Sequence, residues 1–431
     1  MPGVGGPTLR TPWHLRVLYF SSFFLRLAFG ALLLLIAAYA PSNLDDYEKL
    51  LYVAVIAVPY PAAEMLTANY FGILSDHRGR RPIIVFGTSL AAATTISYGL
   101  TNDMIYVAIV HGIHGIGAAA TIAPSIAMIA DHAAIEDRGR QMGWFDYSTF
   151  LGYILGAILG GLLIDYVSAP YGAAWSFGLV SGILVVSALL LYFGIREEKP
   201  RTTGKHYVSL ADLRTVFRSR EIRLMFPIWL IIAILLGLAV TFLPRILMTG
   251  GTSGTRIGYL FGIAGVTLGI LQPLWGKISD RVGRLPVMFY GVLSIAGIAI
   301  TITFFPDQIA TFDDAGIHFK TWGLVPLGIF GLGVGAFVPA ALAMMADHSD
   351  PKAHGATMGL YSFALGFGAF IAEAIGLGLI LASSGDKESA PLWILYFAGG
   401  LIGLAVLLMI LFFAESFIDQ LRERRKGRAQ A

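Results

Sequence analysis

The sequence predicts an all-α integral membrane protein: twelve transmembrane helices in two pseudo-symmetric six-helix bundles. Three observations carry this reading. Of 431 residues, 56% are hydrophobic and 13% charged, against about 25% charged in ordinary soluble proteins. That is too little charge to clothe the two or three domains a soluble chain of this length would form. Apolar stretches of about 20 residues, the length that crosses a ~30 Å hydrocarbon core, follow one another along the whole chain. The second half also repeats the first. The 51 glycines suit close helix packing in a bilayer. Composition thus excludes a soluble globular enzyme and a disordered chain.

The spans read 15–40, 50–75, 82–101, 105–130, 141–165, 172–195, 222–247, 257–279, 286–305, 322–346, 358–383 and 391–415. Span 1 is followed by a small-residue triplet, Ala38-Tyr39-Ala40, but its apolar run exceeds the ~7–15 residues of a signal-peptide core and reads as a retained helix. No span shows the ~10-residue alternation of a membrane barrel. After span 6 comes the one long charged stretch, Arg196 to Arg223, within which 208–213 reads as a short surface helix. The domains are therefore an N-terminal six-helix bundle (1–195), a cytoplasmic linker (196–221), a C-terminal six-helix bundle (222–416) and a basic tail (417–431).

Orientation follows from Lys and Arg. Of 30, 24 fall on one side of the predicted membrane, 5 on the other, and Arg26 lies within a span. The basic side faces the cytoplasm and carries both termini. The same placement accounts for the net charge of +3 and pI of 8.9 without a nucleic-acid partner. With no cysteine there is no disulfide, thiolate metal site or cysteine nucleophile.

The repeat is explicit. Gly72-Ile-Leu-Ser-Asp76-His-Arg-Gly79-Arg80-Arg-Pro82 follows span 2, and Gly276-Lys-Ile-Ser-Asp280-Arg-Val-Gly283-Arg284-Leu-Pro286 follows span 8, with six of 11 positions identical. Residues 115–143 match 331–359 at 11 of 29 positions, including Ala130-Asp131-His132 with Ala346-Asp347-His348. Repeated halves of membrane helices are a hallmark of secondary transporters.

Twelve spans, a 6+6 repeat and two copies of G-x-x-S-D-x-x-G-R-x-P resemble the major facilitator superfamily, over residues 14–417. Two further patterns match in part, in the manner of the twelve-helix drug/proton antiporters. His111-Gly-Ile-His114-Gly115-Ile-Gly117-Ala118-Ala119 resembles R-x-x-Q-G-x-G-A-A of span 4, with histidine at both polar positions. Gly152-Tyr-Ile-Leu-Gly156-Ala157-Ile-Leu-Gly160-Gly161 resembles the exporters' G-x-x-x-G-P-x-x-G-G of span 5, with alanine for proline. The resemblance implies a central cavity lined mainly by helices 1, 4, 7 and 10.

The loop motif has its own physical logic. Gly79 and Gly283 allow a tight turn. Asp76 and Asp280 sit where helices 2 and 8 end, poorly placed for their own helix dipole but well placed for the N-terminus of another helix. Arg80 and Arg284 can pair with Asp131 and Asp347. These residues, with Gly72 and Gly276, are the candidate cytoplasmic gate; the alternative is that the charges fix only topology and turn shape. In the family the first such Asp meets the start of helix 11, here His354 to Met358.

Ionisable groups within spans are costly and are functional candidates by default. Arg26 lies about 15 Å along helix 1 from Arg16, and Glu64 about 18 Å before Asp76 on helix 2. Equal depth and opposite sign predict a shared site, either a structural ion pair or a substrate or proton site. Glu373, about 22 Å past Met358 on helix 11, has no basic residue near it in sequence and suits a protonation switch; partial exposure to a water cavity or a partner elsewhere in the fold is the alternative. His111 and His114 share a helix face and either titrate or pack. Arg245 reads as snorkelling to the outer surface, and Asp146 and Asp165 as interfacial.

No phosphate loop, H-E-x-x-H or metal set appears, so no enzyme, cofactor or metal is expected. The expectation is a monomeric alternating-access secondary transporter of a small molecule in the lipid bilayer of the plasma membrane. Proton-coupled export of an amphipathic or drug-like compound is favoured by span 5. Proton-coupled symport of an organic anion or metabolite is favoured by Arg26 and the histidines. A membrane sensor of the same fold is the alternative of another class.

Overall fold

The computed structural model describes residues 13–132, 138–195, 219–249, 251–269, 271–304, 310–313, 316–319, 325, 329–347, 354–383, 386 and 389–430. The surface helix expected at 208–213 lies outside the described residues, as do the side chains of Asp76, Asp131, Asp146 and 354–362.

The helices are α1 (Trp13–Ala38), α2 (Asp46–Ala57), α3 (Pro59–Arg78), α4 (Arg80–Ser97), α5 (Met104–His132), α6 (Arg138–Leu163), α7 (Ala173–Gly194), α8 (Arg220–Thr249), α9 (Gly254–Gly269), α10 (Gln272–Val282), α11 (Arg284–Phe304), α12 (Phe337–Asp347), α13 (His354–Ala382) and α14 (Ser389–Gln430). The second predicted span is thus two helices. Asp45 starts α2 with a reciprocal capping box, its carboxylate accepting from Glu48 N–H and Glu48 accepting from Asp45 N–H, both at 2.9 Å. Pro59 and Pro61 then remove two donors that would continue it, and α2 ends at Ala57. The eighth span is described as α9 and α10, with Ile270 between them outside the described residues. A π turn over Ile164–Ser168 carries α6 on to Tyr171.

Among the described residues, ten helices are long and apolar enough to cross a membrane. Spans 8 and 10 are not among them. In the former, Ile270 lies outside the described residues, and the latter is described mainly from Ile329, leaving a shorter apolar helix, Ile329–Met345. The segment between the ninth and tenth spans departs from the all-α expectation. It carries an antiparallel hairpin of β1 (Ala310–Asp313) and β2 (Gly316–Phe319), with Ala310 opposite Phe319.

The chain forms two compact units. Unit 1 is Met1–Tyr39, Ala62–Gly204 and Ser253–Tyr259; unit 2 is Ala40–Pro61, Lys205–Thr252 and Leu260–Ala431. In unit 1, α1 packs against α6 and α7, and α4 against α5 and α7. Leu15, Leu18, Ile84 and Ile129 are buried together there. In unit 2, α8 packs on α13 and α14, and α11 on α12 and α14, around a core in which Trp229 stacks on Phe337 at 5.5 Å. Two segments pack away from the contiguous half that contains them in sequence. The segment 40–61 carries α2, which packs on α8 and α13 in unit 2, and 253–259 carries the first turns of α9 into unit 1.

The outer surfaces are apolar. Only 17% of the most apolar stretch of α14 is buried inside the fold, and Phe193, Tyr396, Leu407 and Leu411 are exposed. An apolar helix left this bare requires hydrocarbon around it.

Candidate functional site

The deep polar cluster of unit 1 is built by glycines. On the face of α6 toward α1, a Cβ on Gly152, Gly156 or Gly160 would come within 2.6, 2.3 and 2.7 Å of the carbonyl oxygens of Phe23, Leu27 and Ala31. Such contacts are closed to any larger residue, so the two backbones touch. This approach sets Arg26, midway along α1, beside Tyr153 of α6. The Arg26 Nη1 donates to the Tyr153 hydroxyl at 3.0 Å, and the guanidinium lies 5.3 Å from the ring centroid. Phe29 meets the same ring edge-on at 5.7 Å. Arg26 is buried, which makes this a protein-lined rather than lipid-facing charge.

The two histidines follow on α5. His114 Nδ1 pairs with Thr94 Oγ1 at 3.0 Å and His111 Nδ1 with the Tyr98 hydroxyl at 2.7 Å, both partners on or directly after α4. Their rings are 6.2 Å apart, and His114 lies 6.4 Å from Phe29. Both are buried. Among the described residues no group of histidine and acidic side chains could hold a metal ion.

In unit 2, Glu373 of α13 is buried and accepts a hydrogen bond from Thr241 Oγ1 of α8 at 3.2 Å. The carboxyl that has no basic neighbour in sequence therefore has a hydroxyl partner in space. Small residues again permit this: a Cβ on Gly237 would stand 2.7 Å from the Ala372 side chain, and one on Gly368 2.4 Å from that of Ala233. Arg245 departs from the expectation that it snorkels outward. It is buried, and its Nη2 lies 3.6 Å from Asp46 Oδ1 at the start of α2.

The two loop motifs fold alike. Gly79 and Gly283 have φ of 94° and 103°, a region that side chains resist. Ser75 donates to Gly72 O at 2.7 Å and Ser279 to Gly276 O at 2.8 Å. Arg80 Nη1 donates to Ser75 Oγ at 2.6 Å and Arg284 Nη1 to Ser279 Oγ at 2.7 Å. Arg284 also pairs with Asp280 and, through Nε at 3.0 Å, with Asp347. Among the described residues a Cβ on Gly72 or Gly276 would meet nothing within 4 Å, and their carbonyl oxygens accept from the two serines. The side chains of Asp76 and Asp131 lie outside the described residues.

Comparison with known proteins decides the family. The family model described as Major Facilitator Superfamily matches residues 17–317 and 241–430. The chain belongs to the Major Facilitator Superfamily. Among superfamily members it is 22% identical over 373 residues to an uncharacterised transporter of Methanocaldococcus jannaschii, covering 84% of this chain and 90% of that one. It is 22% identical over 296 residues to the multidrug resistance protein MdtG of Salmonella paratyphi A, covering 67% and 69%. A variant of the nucleoside transporter NupG superposes with a TM-score of 0.71 at 12% identity, over 93% of this chain and 99% of that one; at that identity the likeness shows the fold. Superfamily membership and the many apolar helices make this a multi-pass membrane protein.

Several residues of these clusters escape the sequence. Tyr153, Thr241, Tyr98 and Thr94 are common residue types within apolar helices, and their partners lie on other helices. Ser75 and Ser279 had a signal, because serine recurs at the same place in both loop motifs. Asp165, expected at the membrane interface, accepts two backbone N–H groups of α9.

Proposed function

We propose that this protein is a secondary active transporter that exports a small amphipathic compound in exchange for protons across the plasma membrane. It works by alternating access, with twelve transmembrane helices and cytoplasmic termini. The observation that carries the reading is the Arg26–Tyr153 contact, midway along α1. A guanidinium docked on an aromatic ring offers an amphipathic molecule both a π face and a charge. The likeness to the multidrug resistance protein MdtG points the same way. Glu373 is the proton carrier of this reading. Its bond from Thr241 supports either protonation state, because a hydroxyl both donates and accepts. His111 is the runner-up for that role.

The test uses proteoliposomes with an imposed pH gradient and ethidium as probe. Wild type accumulates the dye. Arg26→Ala loses dye binding, whereas Glu373→Gln keeps binding and loses gradient-driven accumulation. Both variants pumping as wild type would end the reading. Failure of Glu373→Gln to alter pumping, with loss in His111→Gln, moves the proton site to α5. A second reading, proton-coupled symport of an organic anion, is favoured by the buried Arg26 guanidinium. Thermal stabilisation of the purified protein by small carboxylates and phosphate esters, lost in Arg26→Ala and absent with ethidium, selects it.

A further inference from the structure

Asp165 stands where α6 passes into its π turn, and each of its carboxylate oxygens accepts one backbone N–H. Oδ1 accepts from Gly254 at 3.0 Å and Oδ2 from Thr255 at 2.7 Å. These are the first two residues of α9, whose unpaired amides and positive dipole end favour an anion. Two other carboxylate caps among the described residues are local. Asp45 caps α2 from three residues away, and Asp103 accepts from Tyr106 N–H at 2.8 Å at the start of α5. Asp165 is 89 residues before Gly254. Ser253, in the local cap position, reaches Arg256 N–H at only 3.4 Å.

Packing around this cap is backbone on backbone. A Cβ on Gly161 would lie 2.3 Å from Gly254 O, one on Gly258 2.7 Å from Ala157 O, and one on Gly254 2.7 Å from the Ile164 side chain. This contact uses the other side of the span-5 glycine pattern, the side that does not meet α1. Ser253–Tyr259 thereby belongs to unit 1, while from Leu260 the same helix belongs to unit 2.

We propose that Asp165 is a releasable latch, whose carboxylate holds the first turn of α9 in unit 1 in one state of the cycle and lets it go in another. Glycine contacts lacking side chains can part and re-form without repacking, and the charge-assisted pair of hydrogen bonds supplies the bias between the states. The proposal rests on alternating access but on no particular substrate, direction or coupling ion.

The chain has no cysteine, so Ile257→Cys introduces a sole thiol at a fully buried position in the latched segment. The measurement is its labelling rate by a water-soluble maleimide in detergent-solubilised protein, with no transport required. Asp165→Asn, which removes the charge and one acceptor, is expected to speed labelling about tenfold, the ratio for loss of one charge-assisted hydrogen bond. Asp103→Asn makes the same chemical change at a local cap and is expected to leave the rate unchanged. Should Asp165→Asn not elute as a monodisperse species, Asp165→Ser serves as the second variant. Unchanged labelling in the folded Asp165 variant, or an equal rise in Asp103→Asn, overturns the latch. Loss of dye pumping in the wild type would end the proposed export but leave this result standing.

Discussion

The two copies of the loop motif share a skeleton and differ in their charges. In both, glycine takes a positive φ, serine bonds back to a carbonyl one turn earlier, and arginine lies on that serine. The next residue diverges. Arg81 places its guanidinium 4.8 Å from the Tyr192 ring centroid and donates to the Tyr192 carbonyl. Leu285, its counterpart, packs against the apolar core of unit 2. Arg284 binds two carboxylates, Asp280 and Asp347. What the repeat preserves is the geometry that turns one helix into the next; the residue after the motif arginine, Arg81 or Leu285, gives each unit a different neighbour.

The largest expected effect tests the shared skeleton. Gly79 and Gly283 occupy a region of positive φ with ψ near 150°, which is essentially restricted to glycine and costs other residues about 1–3 kcal/mol. Gly283→Ala would meet only Pro286 Cδ at 3.6 Å, an ordinary contact, so its cost is backbone strain. Gly79→Ala and Gly283→Ala are therefore expected to lower stability by similar amounts in that range, read by thermal unfolding in detergent. A loss confined to one copy would break the equivalence of the two turns.

The next prediction separates the copies. Asp76→Asn is expected to slow dye flux about tenfold with normal folded yield, consistent with coupling between states of about 1.4 kcal/mol. Asp280→Asn leaves Arg284 paired with Asp347 and is expected to cost under ~1 kcal/mol, as exposed pairs do, with flux close to wild type. Flux measurements on both variants, normalised to reconstituted protein, decide it; equal flux in the two would erase the functional asymmetry. The smallest effect belongs to Arg81→Leu, which makes the first copy resemble the second. Loss of an exposed cation–π contact is worth about 0.5–1 kcal/mol, and a drop in thermal stability beyond that would show that Arg81 does more than dock on Tyr192.

The membrane class, most spans and both turns are legible in the sequence because each depends on neighbours along the chain. Apolar run length gives the helices, and a repeated glycine gives a repeated φ. Arg26 and Glu64 are legible as candidates because charge within an apolar run is rare. The partner of Arg26 is not: Tyr153 is 127 residues away, and only the α1–α6 glycine contact makes the two adjacent. Thr241 and Glu373 are separated by 132 residues for the same kind of reason. The divided second span is a subtler case. Proline at 59 and 61 is plain in the sequence, yet an apolar count sees no interruption, because proline breaks hydrogen bonds without adding polarity.

That interruption has a mechanical consequence. A continuous helix is a rod whose stiffness comes from its ladder of hydrogen bonds. Pro59 and Pro61 leave the carbonyls of Val55 and Ala57 without their helical donors, so two of three consecutive rungs are missing just where the chain leaves one compact unit for the other, at Pro61 to Ala62. Bending stiffness is lowest at such a point. Torque applied to the α2 end is absorbed there rather than delivered along α3 to the Gly79 turn, so the upper and lower parts of this span act as two struts meeting at a joint.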